Sequence, residues 1–188
     1  MSICVFAGTF NPIHEGHLKM AEFALKHYNF DKIIFIPSYL PPHKEVEKNL
    51  ANHRYKMVEL GISYNPKFEI SDIEYKSEGK SYSLITVKKI VEQYGINGRL
   101  NFIIGTDAFK KIETWYHADE LKNLVHFIVF PRRGDSLEFD ISGWDYEIAP
   151  MEYVDISSTE IRAGAKHNEN KLVEDYIEKN GLYKNWRL

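Results

Sequence analysis

Apolar and polar positions follow two alternating rhythms along this chain. Compact apolar, β-favouring runs occur at Ile3–Ala7, Lys32–Pro37, Leu100–Ile104 and His126–Phe130. A fifth segment, Phe68–Tyr75, alternates with the period of a half-buried strand. Between these runs the apolar positions recur at helical spacing. Glu15–Tyr28 carries Leu18, Ala21, Ala24 and Leu25 on one stripe, and Asn52–Ile62 reads as a helix with Pro66 beyond it. Ser83–Tyr94 is helical with Gly95 at its stop, and Lys171–Asn180 closes the series with Gly181 placed for an αL cap. Arg132–Asp145 shows neither rhythm and reads as loop.

Strands that are apolar throughout must be covered on both faces. Their alternation with helices predicts an α/β fold: a Rossmann-like, doubly wound, mostly parallel sheet, with a small helical part at the C-terminus. All 188 residues suit one domain. In such sheets ligands bind at the carboxyl ends of strands, near the switch in strand order. A functional motif is therefore expected directly after a strand.

Composition narrows the classes. A formal net charge of -3 gives no support to a general nucleic-acid binder, and 12 Tyr with 11 Phe argue against disorder. The single cysteine, Cys4, lies inside an apolar run, so a disulfide within the chain is impossible and a core role is expected. No apolar stretch is long enough to span a membrane and no signal-peptide pattern is visible, so a cytoplasmic location is expected.

The richest segment is Gly8-Thr9-Phe10-Asn11-Pro12-Ile13-His14-Glu15-Gly16-His17, at the junction of the first strand and first helix. Gly8 allows a sharp turn and close ligand approach, and Pro12 delays helix formation. The helix start offers free N–H groups to a phosphate. His14 and His17, three apart, can project together, and imidazolium groups can donate to a phosphoryl oxygen. A bare His-x-x-His pair is more often surface decoration, and a zinc site lacks its third and fourth ligands here. The G-x-G-x-x-G and G-x-x-x-x-G-K-[ST] patterns are absent.

Other segments follow strands as expected. Pro37–Lys44 is a proline-stiffened loop in which Lys44 offers a cation, although a solvated lysine is the plainer reading. Ser81–Thr86 opens a helix. Gly105-Thr106-Asp107 ends a strand, and Asp107 suits either ribose hydroxyls or a helix cap. In Ile156–Arg162, Ser157 and Glu160 form a capping-box pattern, while Ser157, Ser158, Thr159 and Arg162 together could hold an anion.

Taken in order, these segments closely resemble the nucleotidyltransferase superfamily with the H-x-G-H-type motif, and within it the bacterial nicotinate-mononucleotide adenylyltransferases. The resemblance covers nearly the whole chain. It implies that His14 and His17 are catalytic, and that Gly8, Thr9, Phe10, His43, Lys44, Gly105, Asp107, Ser157, Ser158, Thr159 and Arg162 bind ATP. It further implies that Thr86, Trp115, Tyr116 and Arg132 lie at the nicotinate mononucleotide, with an aromatic face stacking on the pyridine ring. Mg²⁺ would be held mainly by the ATP phosphates, so no protein metal ligand is assigned. ATP and nicotinate mononucleotide are the implied partners, self-association is left open, and neither nucleic acid nor membrane is expected. Sibling transferases acting on nicotinamide mononucleotide or phosphopantetheine remain open at this point, as does a non-catalytic nucleotide- or metal-binding protein.

Overall fold

The computed structural model describes residues 1–42, 46–77, 79–136, 141, 143–151 and 157–183. Its core is a sheet of six strands: β1 (Ile3–Gly8), β2 (Lys32–Pro37), β3 (Phe68–Ile70), β4 (Leu100–Gly105), β5 (Val125–Phe130) and β6 (Tyr146–Ile148). The spatial order is β3-β2-β1-β4-β5-β6 and each neighbouring pair is parallel. This is the doubly wound order, with the direction of winding reversing between β1 and β4. The carboxyl ends of those two strands are Gly8 and Gly105.

Side chains of successive strand residues enter opposite layers, as the pleat requires. Cys4, Phe6, Ile33, Phe35, Ile128 and Phe130 face one layer, built with α1 (Glu15–His27), α2 (Ala51–Ile62), α6 (Ser158–Arg162) and α7 (Lys171–Lys179). Val5, Ile34, Ile36, Phe102, Phe127 and Val129 face the other, built with α3 (Ser83–Tyr94), α4 (Thr106–Lys110) and α5 (Ala118–Leu121). The C-terminal helices are no appendage: Ile161, Val173 and Ile177 are fully buried in the same layer as Phe6. Cys4 is fully buried, and burial pushes its thiol upward, so it packs and does not react. Among the described residues no helix is long and apolar enough to cross a membrane.

One expectation is corrected. The alternating segment Phe68–Tyr75 pairs only as far as Ile70. Ser71 donates to the Phe35 carbonyl at 2.9 Å, and Tyr75 then closes a turn on Asp72. Alternation persists through Glu74, but that side chain turns inward and leaves the sheet. The loop expected at Arg132–Asp145 holds no strand among its described residues; the edge strand β6 follows directly, and its three residues are too few for periodicity to reveal. Gly181 does take the left-handed conformation, at φ 61°, after α7.

Candidate active site

The loop from Gly8 to His14 joins β1 to α1 at the switch point. Its turn is made by Phe10, not Gly8: Phe10 has φ 50°, and the Asn11-Pro12 peptide is cis. A side chain at Gly8 would meet the Phe10 ring at 3.1 Å. Gly8 thus makes room for Phe10, which is itself buried against Phe6 and His17. The backbone of the loop is free to serve a ligand while its aromatic side chain locks into the core.

Five carbonyls of the loop are taken up one by one. Gly8 O accepts from Ser38 N at 2.9 Å and Thr9 O from Arg54 Nη1 at 2.8 Å. Asn11 O accepts from Arg162 Nη1 at 2.8 Å, Pro12 O from Ser158 Oγ at 2.9 Å, and Ile13 O from Asn168 Nδ2 at 2.7 Å. The Tyr183 hydroxyl donates to Asn11 Oδ1 at 2.5 Å. Those acceptors are thereby occupied, which suits an anion.

The histidines are caps as well as candidate catalysts. His14 is the N-cap of α1: its Nδ1 accepts from Gly16 N at 3.0 Å, while His17 Nδ1 accepts from His14 N at 3.1 Å. This reciprocal arrangement is a capping box with imidazoles in place of the usual Ser and Glu. The rings stack at 3.8 Å between centroids. Because both Nδ1 atoms accept backbone N–H groups, the ring proton of each neutral imidazole sits on Nε2. Burial, aided by the nearby Arg132 charge, lowers His14 to about 4. His14 is therefore a neutral Nε2–H donor at pH 7, which corrects the expectation of an imidazolium.

The motif at α6 serves the loop before it serves a ligand. Ser157 caps the helix by accepting from Glu160 N at 3.2 Å. The reciprocal half of the expected box is missing, because Glu160 Oε2 pairs with Lys166 at 3.1 Å. The Ser158 hydroxyl proton is spent on Pro12 O. Thr159 Oγ1 accepts from Arg162 Nη2 at 3.3 Å and keeps its own proton to donate. Asp107 lies exposed in the first turn of α4 at the end of β4 and does not cap it; the cap position is Gly105. Arg132 follows β5, close enough for its charge to be felt at His14. His43, Lys44 and Ile156 lie outside the described residues.

A second cluster forms at the start of α3. Thr86 is 4% exposed and donates to Glu74 Oε2 at 2.7 Å, with Tyr82 O at 3.3 Å as a weaker alternative acceptor. Tyr82 stacks on Tyr116 at 4.4 Å, which brings the Trp115-Tyr116 pair beside the start of α3. Tyr116 is 43% exposed with one face covered by Tyr82, while Trp115 is half-buried against the core.

Four residues went unnoticed in the sequence: Arg54, Glu74, Asn168 and Tyr183. Arg54 is 0% exposed and also donates to Ser38 O at 2.6 Å and Tyr39 O at 3.1 Å. It falls on the stripe of Ala51, Val58 and Gly61, so an arginine on the buried face of a helix was the available signal. Glu74 shares the alternation of Phe68 and Ile70, which marked it as inward-facing. Nothing in the sequence marks Asn168 or Tyr183, since their partners lie 155 and 172 residues away.

A sequence profile described as cytidylyltransferase-like matches residues 5–164. The Bacillus subtilis nicotinate-nucleotide adenylyltransferase is 38% identical over 188 residues, covering 96% of this chain and 97% of that protein. The Fusobacterium nucleatum protein named probable nicotinate-nucleotide adenylyltransferase is 41% identical over 189 residues, covering 95% and 98%. The solved structure of Plasmodium falciparum nicotinic acid mononucleotide adenylyltransferase complexed with NaAD superposes with a TM-score of 0.79 over 97% of both chains, at 22% identity, a likeness of fold. A pattern that runs in order from Gly8 to Arg162, on a sheet wound in the 3-2-1-4-5-6 order, thus has its match at both levels: the chain belongs to the nicotinate-nucleotide adenylyltransferase family of the cytidylyltransferase-like nucleotidyltransferases.

Proposed function

We propose that this chain transfers the adenylyl group of ATP to nicotinate mononucleotide, forming nicotinate adenine dinucleotide and pyrophosphate. The observation that carries the reading is the loop from Gly8 to His14, in which five carbonyls are taken up by the protein while both histidines keep Nδ1 on backbone amides and so carry their proton on Nε2. A phosphate oxygen of the acceptor attacks the α-phosphorus in line. The bond from that phosphorus to the bridging oxygen breaks, and pyrophosphate leaves with the electron pair. The attacking oxygen is already anionic, so no general base is needed, and catalysis rests on positioning and charge stabilisation.

His14 and His17 donate through Nε2–H to the α- and β-phosphates as charge builds on them. Held neutral, His14 is not a proton source, in keeping with a leaving group that needs no proton. Thr159 and Ser157 offer hydroxyl protons to the outgoing pyrophosphate, with Arg162 beside them. Arg162 spends two of its five donors on the protein and keeps the others. Among the described residues no group of three carboxylate or imidazole ligands meets at this loop; the one such group, His167, Glu174 and Glu178, involves α7. Mg²⁺ enters as part of the Mg·ATP substrate, held by phosphate oxygens and water. Thr86 and the Trp115-Tyr116 pair receive the pyridine ring.

The deciding experiment is pyrophosphate release from Mg·ATP with nicotinate mononucleotide, nicotinamide mononucleotide and phosphopantetheine side by side. Release is expected with the nicotinate form above both others. Faster release with phosphopantetheine would reassign the acceptor, and no release with any acceptor would remove the reading altogether.

A further inference from the structure

Glu74 is a buried acid. It is 4% exposed, it lies in the turn after β3, and only one of its carboxylate oxygens is bonded. Oε2 receives the Thr86 proton at 2.7 Å, whereas Oε1 has no hydrogen-bond partner among the described residues. The groups that face it come from three directions. Arg54 on α2 supplies the nearest positive charge, Ser38 lies at the end of β2, and Ser81 and Thr86 flank the start of α3. Tyr75 adjoins it along the chain and is neutral near pH 7. Arg54 does not neutralise Glu74 by direct contact; its bonded partners are the Thr9, Ser38 and Tyr39 carbonyls.

Thr86 owns one proton and must choose where to send it. Facing an ionised Glu74, the hydroxyl gives its proton to that carboxylate and shows only lone pairs elsewhere. Facing a protonated Glu74, it can accept from the acid and turn its own proton to another acceptor. The two acceptor nucleotides differ in this respect. The carboxylate of nicotinate accepts hydrogen bonds only, while the carboxamide of nicotinamide also donates.

We propose that Glu74 is a positioning residue that sets the direction of the Thr86 hydroxyl and thereby selects between carboxylate and carboxamide pyridine nucleotides. The inference rests on the placement of the pyridine ring at Thr86 given under the proposed function. In this arrangement nicotinate mononucleotide binds together with a proton on Glu74, and the negative charge of the ligand replaces that of the side chain. Nicotinamide mononucleotide binds the ionised form. Desolvation by burial raises Glu74 to about 7, against the opposing pull of the Thr86, Ser81 and Ser38 hydroxyls and the Arg54 charge, so the choice falls in the physiological range.

The test is the ratio of kcat/KM for the two mononucleotides across pH, because ionisation of ATP and of the shared phosphate cancels in that ratio. Because one mononucleotide takes the protonated form of Glu74 and the other the ionised form, the nicotinate-to-nicotinamide ratio should fall about tenfold per pH unit, up to about 300-fold between pH 6 and 8.5, through KM and not kcat. In Glu74→Gln the side chain cannot ionise and can donate to Thr86 at every pH, so the ratio should become flat and favour nicotinate. Should that variant fold poorly, Thr86→Val removes the hydroxyl and should flatten the ratio from the other side. A ratio that keeps its slope in these variants, or that never had one, overturns the proposal. Calorimetry in buffers of different ionisation enthalpy reads the same step without turnover: near pH 8 nicotinate mononucleotide should take up close to one proton more than nicotinamide mononucleotide. Equal uptake overturns the inference even in a fully active enzyme. Unequal uptake supports it even if turnover fails and the proposed reaction falls, and absence of binding by either nucleotide overturns both.

Discussion

The phosphate end and the acceptor end of this site are built on opposite plans. At the end assigned to phosphate, the two imidazoles that cap α1 belong to one contiguous stretch, Gly8–His17. Distant side chains bond the loop carbonyls there, and Ser157, Thr159 and Arg162 are the ones proposed to meet the pyrophosphate. At the acceptor end the working groups are side chains from separate elements, joined by one short hydrogen bond from Thr86 to Glu74 and one ring stack between Tyr82 and Tyr116. A triphosphate is common to many transferases and can be held by main-chain geometry, which few substitutions disturb. The acceptor must be distinguished from its near copies, and a single proton direction is enough to do so. Under the proposed function, one end supplies affinity without choice and the other supplies the choice.

The largest expected effect tests whether the phosphate end is blind to the acceptor. His17→Ala should lower kcat by about 10²-fold or more, the cost of removing one transition-state donor. The loss should be equal for nicotinate and nicotinamide mononucleotide in steady-state assays. A loss that differs strongly between them would break the division, and near-normal turnover would remove His17 from the chemistry. Arg54 comes next because it joins the two ends, donating to Thr9 O on one side and facing Glu74 on the other. Arg54→Met should orphan three carbonyls and lower stability by about 3 kcal/mol in urea unfolding. It should also raise KM for both substrates. A change below about 1 kcal/mol would mean that the loop holds its shape without the guanidinium. The smallest effect is expected at Tyr183→Phe, which deletes the hydroxyl bonded to Asn11. About 1 kcal/mol of stability and a few-fold rise in ATP KM should follow, with acceptor KM unchanged. An equal rise for the acceptor would show that the ends are mechanically coupled.

This difference in plan also explains what was readable beforehand. Local order along the chain was legible: β1, α1, β2, α3 and β4 appear within a residue or so of their expected bounds, because apolar periodicity is the direct imprint of burial. His14 and His17 were legible as a pair, since three-residue spacing places them together whatever the fold. Their protonation was not, because the burial and the Arg132 charge that lower His14 come from packing. Likewise the Ser157–Arg162 segment was readable as a helix start with anion-binding chemistry. That Ser158 and Arg162 bond Pro12 and Asn11 could not be read, as those contacts span 146 and 151 residues.

Sequence alone determined the layered α/β architecture, the family and the contiguous phosphate loop, because each is written in short-range spacing that survives without coordinates. Tertiary structure alone decided which carbonyls are withdrawn from the loop, which imidazole proton faces outward and which buried acid commands the Thr86 hydroxyl. Those outcomes depend on the distance and desolvation of groups brought together only when the sheet closes over its two layers, and no local pattern carries that information.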